Sequence, residues 1–178
     1  MIIKKATQIG NPVIRQEAEA VADVESKETK EIVKNLVDSM RYHGLVGMAA
    51  PQIGEGKRIF VTEIRETEFR SAEEEAEIDN LRVFINPEII STSENTNNEW
   101  EGCGSVADAN LFGKVTRPSE VIIKALDEKG EEFELAAKGL LARVIQHEMD
   151  HINGVVFIDK SDPKTFMSGS EYMKLKDK

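Results

Sequence analysis

Cysteine is almost missing from this chain. The 178 residues contain one, Cys103, so no internal disulfide can form. A lone cysteine is most often a buried small apolar residue or a free thiol, and any further role for it needs company from other residues. A basic surplus is missing too. The formal net charge is -10, which excludes a general grip on the phosphates of nucleic acid. Long apolar runs are absent as well. The start, MIIKKATQIGNP, is too short in apolar residues for a secretory signal or a membrane span, and it lacks the arginine and serine of a transit segment. These absences lead to the expectation of a cytoplasmic protein with no membrane partner and no direct nucleic-acid partner, whose thiol stays reduced.

What is present is an ordinary globular composition. At 40% hydrophobic and 31% charged, the chain is long enough to bury a core as one domain without covalent staples. Acidic residues concentrate between Glu63 and Asp79, with Glu73, Glu74 and Glu75 in a row, and read as a solvated loop or polar helix. Lysines 160, 164, 174, 176 and 178 form a weak basic cluster at the other end. Ile32, Val33, Leu36, Val37 and Met40 recur at helical spacing, so residues 26–42 form an amphipathic helix with Ser26 as N-cap and Gly44 as its stop. Strand-like runs follow at 58–64, 81–90, 119–126 and 131–136, the second interrupted by Asn86-Pro87, which marks a kink or an edge position. A second helix is expected over 138–152, apolar around much of its circumference and therefore set in a core. The fold class is α+β, with short antiparallel strands packed around this central helix.

That helix carries His147-Glu148-Met149-Asp150-His151. Residues four apart lie one above the other on a helix face, so both imidazoles can reach one ion while Glu148 can reach a water bound to it. This is the HExxH arrangement of zinc hydrolases, although it also arises by accident. Two of the chain's three histidines fall at this spacing, and burying them with Glu148 and Asp150 in an apolar helix costs about 1–3 kcal/mol per unpaired group. Asp150 suits a supporting contact, and His43, without motif company, reads as a helix-end residue. A catalytic ion keeps three protein ligands and an open position. The third could be Cys103 upstream, or Asp159, Asp162 or Glu171 downstream.

Cys103 lies in Glu101-Gly102-Cys103-Gly104-Ser105, and Gly47-Met48-Ala49-Ala50-Pro51-Gln52-Ile53-Gly54 lies further upstream. These segments, in this order before Gln146-His147-Glu148-Met149-Asp150-His151, resemble the three signature motifs of peptide deformylases, which read GxGxAAxQ, EGCxS and His-Glu followed closely by Asp-His. Gly10-Asn11-Pro12, Asn86-Pro87, Arg117, Gly139-Leu140-Leu141 and Asn153-Gly154 extend the similarity over about residues 3 to 160. The resemblance implies a catalytic domain at 1–160 and a short tail at 161–178. It implies removal of the formyl group from N-terminal formyl-methionine of nascent polypeptides, with the ribosome as a candidate docking partner. It makes Cys103, His147 and His151 the ligands of one divalent ion, Fe²⁺ expected and Zn²⁺, Ni²⁺ or Co²⁺ tolerated. Glu148 becomes the acid–base residue, and Gln52 and the Gly104 N–H face the formyl oxygen. Leu45, Gly47, Leu140 and Val144 become substrate-contacting residues, and Glu101 and Arg117 an ion pair that orients the cysteine loop.

Three positions depart from that pattern. Leu45 stands where the first motif has its first glycine, Gly104 replaces the leucine of the second, and Ala107 falls where proline is frequent, in a segment (108–114) slightly longer than usual. The expectation is retained metal binding and activity, with a pocket that loses an apolar wall at Gly104. Two other readings stay open: a zinc endopeptidase using Glu171, and a deformylase-like protein that binds peptide ends without efficient turnover.

Overall fold

The computed structural model describes residues 2–67 and 78–176. The acidic run Glu73-Glu74-Glu75 lies outside the described residues.

The first helix, α1, spans Lys27–Tyr42, and the Ser26 hydroxyl accepts the Thr29 N–H at 3.1 Å. This cap satisfies one of the helix's orphan donors. The chain leaves α1 through Gly44 at φ 66, a left-handed conformation that glycine adopts without a steric penalty. Ile32, Leu36 and Met40, spaced four apart, form its buried stripe. His43 closes the helix and its Nε2 meets the Lys4 carbonyl at 2.9 Å, as a helix-end residue should.

Five antiparallel strands form the main sheet: β1 (Gly47–Ala49), β2 (Ile59–Ile64), β3 (Asp79–Thr92), β6 (Glu120–Leu126) and β7 (Glu132–Lys138), in the order β1-β2-β3-β6-β7. Strand β2 is buried on both faces, and its alternation decides what packs where. Ile59 and Val61 join Val83 and Ile85 of β3 under α1. Phe60 and Phe84 face the other way, with rings stacked 4.5 Å apart, beneath α2 (Gly139–Ile152). Each such fully buried side chain contributes about 1.5–3 kcal/mol of burial free energy. The sheet is thus covered by α1 on one face and by α2 on the other.

Asn86-Pro87 proves to be a kink inside an interior strand, not an edge. Asn86 sits at φ 50, the register slips between Ile85 and Glu88, and β3 has neighbours on both sides. The Asn86 amide holds the bend by accepting from the Val21 N–H and donating to the Val21 carbonyl, both at 2.8 Å.

A second sheet of three strands, in the order β4-β5-β8, was not expected from the sequence: β4 (Thr96–Gly102), β5 (Leu111–Pro118) and β8 (Met167–Ser168). Between β4 and β5, Ala107, Asp108 and Ala109 adopt φ 50, 50 and 63 in a left-handed turn. Proline is locked near φ −65°, which gives the physical reason that Ala107 is not proline here. Residues after 160 pack onto this sheet. Ser161 bridges Val115, β8 pairs with β5, and α3 (Gly169–Lys176) lays Tyr172 flat against Phe112 with centroids 4.1 Å apart. No described helix is long and apolar enough to cross a membrane.

Candidate metal centre

Helix α2 runs between the two sheets, and ten of its residues are buried, including Arg143, Gln146, Glu148, Asp150 and His151. Polar groups in such a position need partners. Their partners define the site.

Cys103 follows β4 in a turn of the chain. Its sulfur lies 3.1 Å from His151 Nε2 and accepts the Ser105 N–H at 3.4 Å. Ligand atoms of Cys103, His147 and His151 all lie within 4.8 Å of one another, the one such group among the described residues. The other candidates for the third ligand fall away. Glu171 is exposed on α3 and paired with Lys174, Asp159 binds Arg15 and the Val156 N–H, and Asp162 caps the turn at Pro163–Thr165. A zinc endopeptidase built on Glu171 is therefore not what this chain is.

Glu101 is the hub beneath the site. Its carboxylate receives Arg117 Nε at 2.6 Å and Nη2 at 2.8 Å, a second guanidinium from Arg143, and His147 Nδ1 at 2.9 Å. Burial alone would raise this carboxyl, but the Arg117 and His147 hydrogen bonds outweigh it and hold Glu101 well below the usual carboxylate range. Because Glu101 occupies His147 Nδ1, Nε2 of that ring is left for an ion. Arg117 also donates to Asp150 at 2.8 Å, and Lys160 reaches the other Asp150 oxygen at 2.6 Å. The expected Glu101–Arg117 pair and the supporting role of Asp150 are thus parts of one network.

Burial opposes ionisation of Cys103, yet the charge of His151 and hydrogen bonds from both histidines bring its thiol well below the ordinary value. A sulfur that ionises readily beside two imidazoles fits a borderline transition ion and does not fit calcium or magnesium, which take oxygen ligands. His151 Nδ1 and Glu148 Oε2 are buried with no hydrogen-bond partner among the described residues. Burial pushes the Glu148 carboxyl up to about 7, against the pull of the His147 and His151 charges. A carboxyl at that value can both take and give a proton near neutrality.

The cleft over these groups has a volume of about 170 Å³. All four residues expected to contact substrate, Leu45, Gly47, Leu140 and Val144, line it, together with Gln52 and Gly104. Gln52 is held firmly. Its Oε1 accepts the Ala49 N–H at 2.7 Å, which turns its Nε2 toward the Cys103 sulfur at 3.7 Å. The Gly104 carbonyl accepts Gln8 Nε2 at 2.7 Å, and no protein acceptor takes its N–H among the described residues. Gly47 allows a close approach. A Cβ there would stand 2.5 Å from Glu148 Oε1 and 2.7 Å from Val144 Cγ1.

Three lining residues were not foreseen, Val46, Arg143 and Trp100. Arg143 lies one turn before His147, and its guanidinium also bonds the Val115 and Asn97 carbonyls at 3.0 and 3.1 Å. An arginine inside the apolar first half of the helix, Leu140 to Ile145, was the available signal. Trp100 precedes the Glu-Gly-Cys segment on β4; Lys114 Nζ sits 5.4 Å from its ring and Tyr172 meets it edge-on at 5.9 Å.

Comparison with known proteins gives a consistent result. Residues 3–166 match the family described as polypeptide deformylase. A peptide deformylase of Halothermothrix orenii is 41% identical over 160 residues, covering 90% of this chain and 94% of the relative. One from Natranaerobius thermophilus is 38% identical over 162 residues, covering 91% and 94%. The crystal structure of a class I type b peptide deformylase from Acinetobacter baumannii with Met-Ala-Ser bound superposes with a TM-score of 0.81 at 29% identity, covering 89% of this chain and 99% of that one.

Proposed function

The chain belongs to the polypeptide deformylase family, and from that premise we propose that its cleft frees the N-terminal formyl-methionine of new polypeptides from the formyl group, with Cys103, His147 and His151 holding one divalent ion. The observation that carries this reading is the meeting of one sulfur and two imidazoles at a cleft that Cys103 and His147 line, beside a buried carboxyl whose Oε2 has no hydrogen-bond partner among the described residues. A divalent ion in such a set acidifies a bound water and polarises a carbonyl oxygen. Iron(II) is the expected ion; zinc, nickel and cobalt suit the same donors.

The residues of the chain supply the rest. Glu148 takes the proton given up by the attacking water on its unpartnered Oε2 and delivers it to the departing amine. Gln52 Nε2, fixed by the Ala49 N–H, and the Gly104 N–H are donors aimed at the formyl oxygen, where negative charge develops. Leu45, Gly47, Leu140 and Val144 enclose the methionine side chain. The relative seen with Met-Ala-Ser supports a methionine-headed peptide in this cleft. On the same reading the chain works in the cytoplasm, on polypeptides leaving the ribosome.

Two measurements test this. Iron-loaded protein, kept from oxygen, is expected to release formate from formyl-Met-Ala-Ser, and metal analysis should find roughly one ion per chain, falling to roughly none in Cys103→Ser. Full ion content without the cysteine would refute the ligand assignment. Tight peptide binding with no formate released would favour a binding protein instead. Gly47→Ala should lower formate release by about a hundredfold at unchanged ion content, since displacing Glu148 by about 1 Å costs on that order.

A further inference from the structure

Leu45 and Gly104 lie 59 positions apart in the chain and both line the cleft. The main chain does not explain why residue 104 is glycine. Gly104 is not among the residues with positive φ, so its backbone does not call for the conformational freedom that glycine offers. The explanation is steric. A Cβ at position 104 would stand 3.2 Å from Leu45 Cδ1 and 3.6 Å from Ala6 Cβ. One carbon there would already press on the leucine, and a longer side chain would need the volume the leucine fills. Leu45 in turn is anchored. Its N–H bonds the Met40 carbonyl at 3.0 Å, its carbonyl accepts Arg65 Nη2 at 2.9 Å, and its side chain packs on the cluster under α1. Gly104 is equally constrained, since its carbonyl holds Gln8 Nε2 at 2.7 Å and Cys103 before it points at the metal ligands.

We propose that Leu45 and Gly104 are a matched pair that sets the substrate preference of the cleft. Leu45 reaches across to provide the apolar wall that the cysteine loop does not, and Gly104 keeps clear the space that Leu45 occupies. The pocket therefore does not lose its wall; the wall comes from the segment before β1. The ligand class is a peptide end headed by an apolar side chain, held between Leu45, Leu140 and Val144. This inference rests on the deformylase reading of the same cleft.

The test is a double-mutant cycle on the metal-loaded protein, with KM and kcat for formyl-Met-Ala-Ser read separately and ion content as a control. Leu45→Ala should raise KM about tenfold with little change in kcat, the usual result of removing an apolar contact from a pocket. Gly104→Leu should lower kcat/KM by about a hundredfold. Combining Gly104→Leu with Leu45→Ala should recover activity about tenfold or more beyond the product of the two single losses, because contacting residues couple. Gly104→Ala, rescued by Leu45→Ala, repeats the cycle with milder variants should leucine at 104 impair folding. Losses that simply multiply would overturn the proposal. If the wild type releases no formate, the deformylase reading fails; the cycle is then read in the Kd for Met-Ala-Ser, where coupling still supports the matched pair and additivity still defeats it.

Discussion

Glu148→Gln is expected to lower formate release from a formyl-methionyl peptide by about a thousandfold, within the range of roughly 10²–10⁴ for loss of a general acid–base group. Ion content should stay at the wild-type level, because Glu148 is not one of the three clustered ligand residues. The physical basis is an unusual carboxyl. It is buried against the bare Cα of Gly47, it has one oxygen without a partner, and burial brings it up to about 7. Glutamine keeps the shape and removes only the proton chemistry, so KM should change little. Residual activity within tenfold of wild type would show that the proton travels by another route. Loss of the ion instead would show that Glu148 belongs to the ligand set.

The second large effect concerns stability. Glu101→Ala should destabilise the fold by about 3–5 kcal/mol, since it leaves the Arg117 and Arg143 guanidiniums buried without their shared carboxylate. For a chain of this size that corresponds to a fall in Tm of roughly 6–20 °C. Metal affinity should fall about 10–100-fold in the same variant, because His147 Nδ1 loses the acceptor that fixes its ring. Thermal unfolding and a metal titration read the two effects separately. Arg143→Met, which removes one guanidinium and leaves Glu101 paired with Arg117, should cost less than Glu101→Ala. An equal or larger loss would show that Arg143, not Glu101, is the hub.

The parts of this molecule that were legible in the sequence are those whose signals are local. Ser26 and Gly44 bracket α1 because a cap and a left-handed stop act within a few residues. Strands β2, β3, β6 and β7 were visible as apolar runs to within two residues at each end; Lys138, expected to open α2, instead closes β7 by pairing with Glu120. Strand β4, Thr-Asn-Asn-Glu-Trp-Glu-Gly, has little apolar alternation, and β5 is broken by Gly113 and Pro118. Their pairing, with β8 arriving from the far end of the chain, is a long-range outcome that no short window displays. The gap in the site follows from the gap in the fold. The metal ligands could be read because two share a helix face and the third sits in a recognisable segment. Arg143 could not be assigned a role while the carbonyls it binds, Asn97 on β4 and Val115 on β5, belonged to strands not yet seen. Leu45 and Gly104 were each visible as departures, but their mutual fit exists only in three dimensions.

Trp100 is the one tryptophan in the chain, and it stands in the wall of the cleft with the Tyr172 ring against its edge. The molecule therefore carries a built-in optical reporter at the place where a peptide enters. Emission from that single indole belongs to the cleft alone, so occupancy can be followed in the unlabelled protein without attaching a dye or altering a residue.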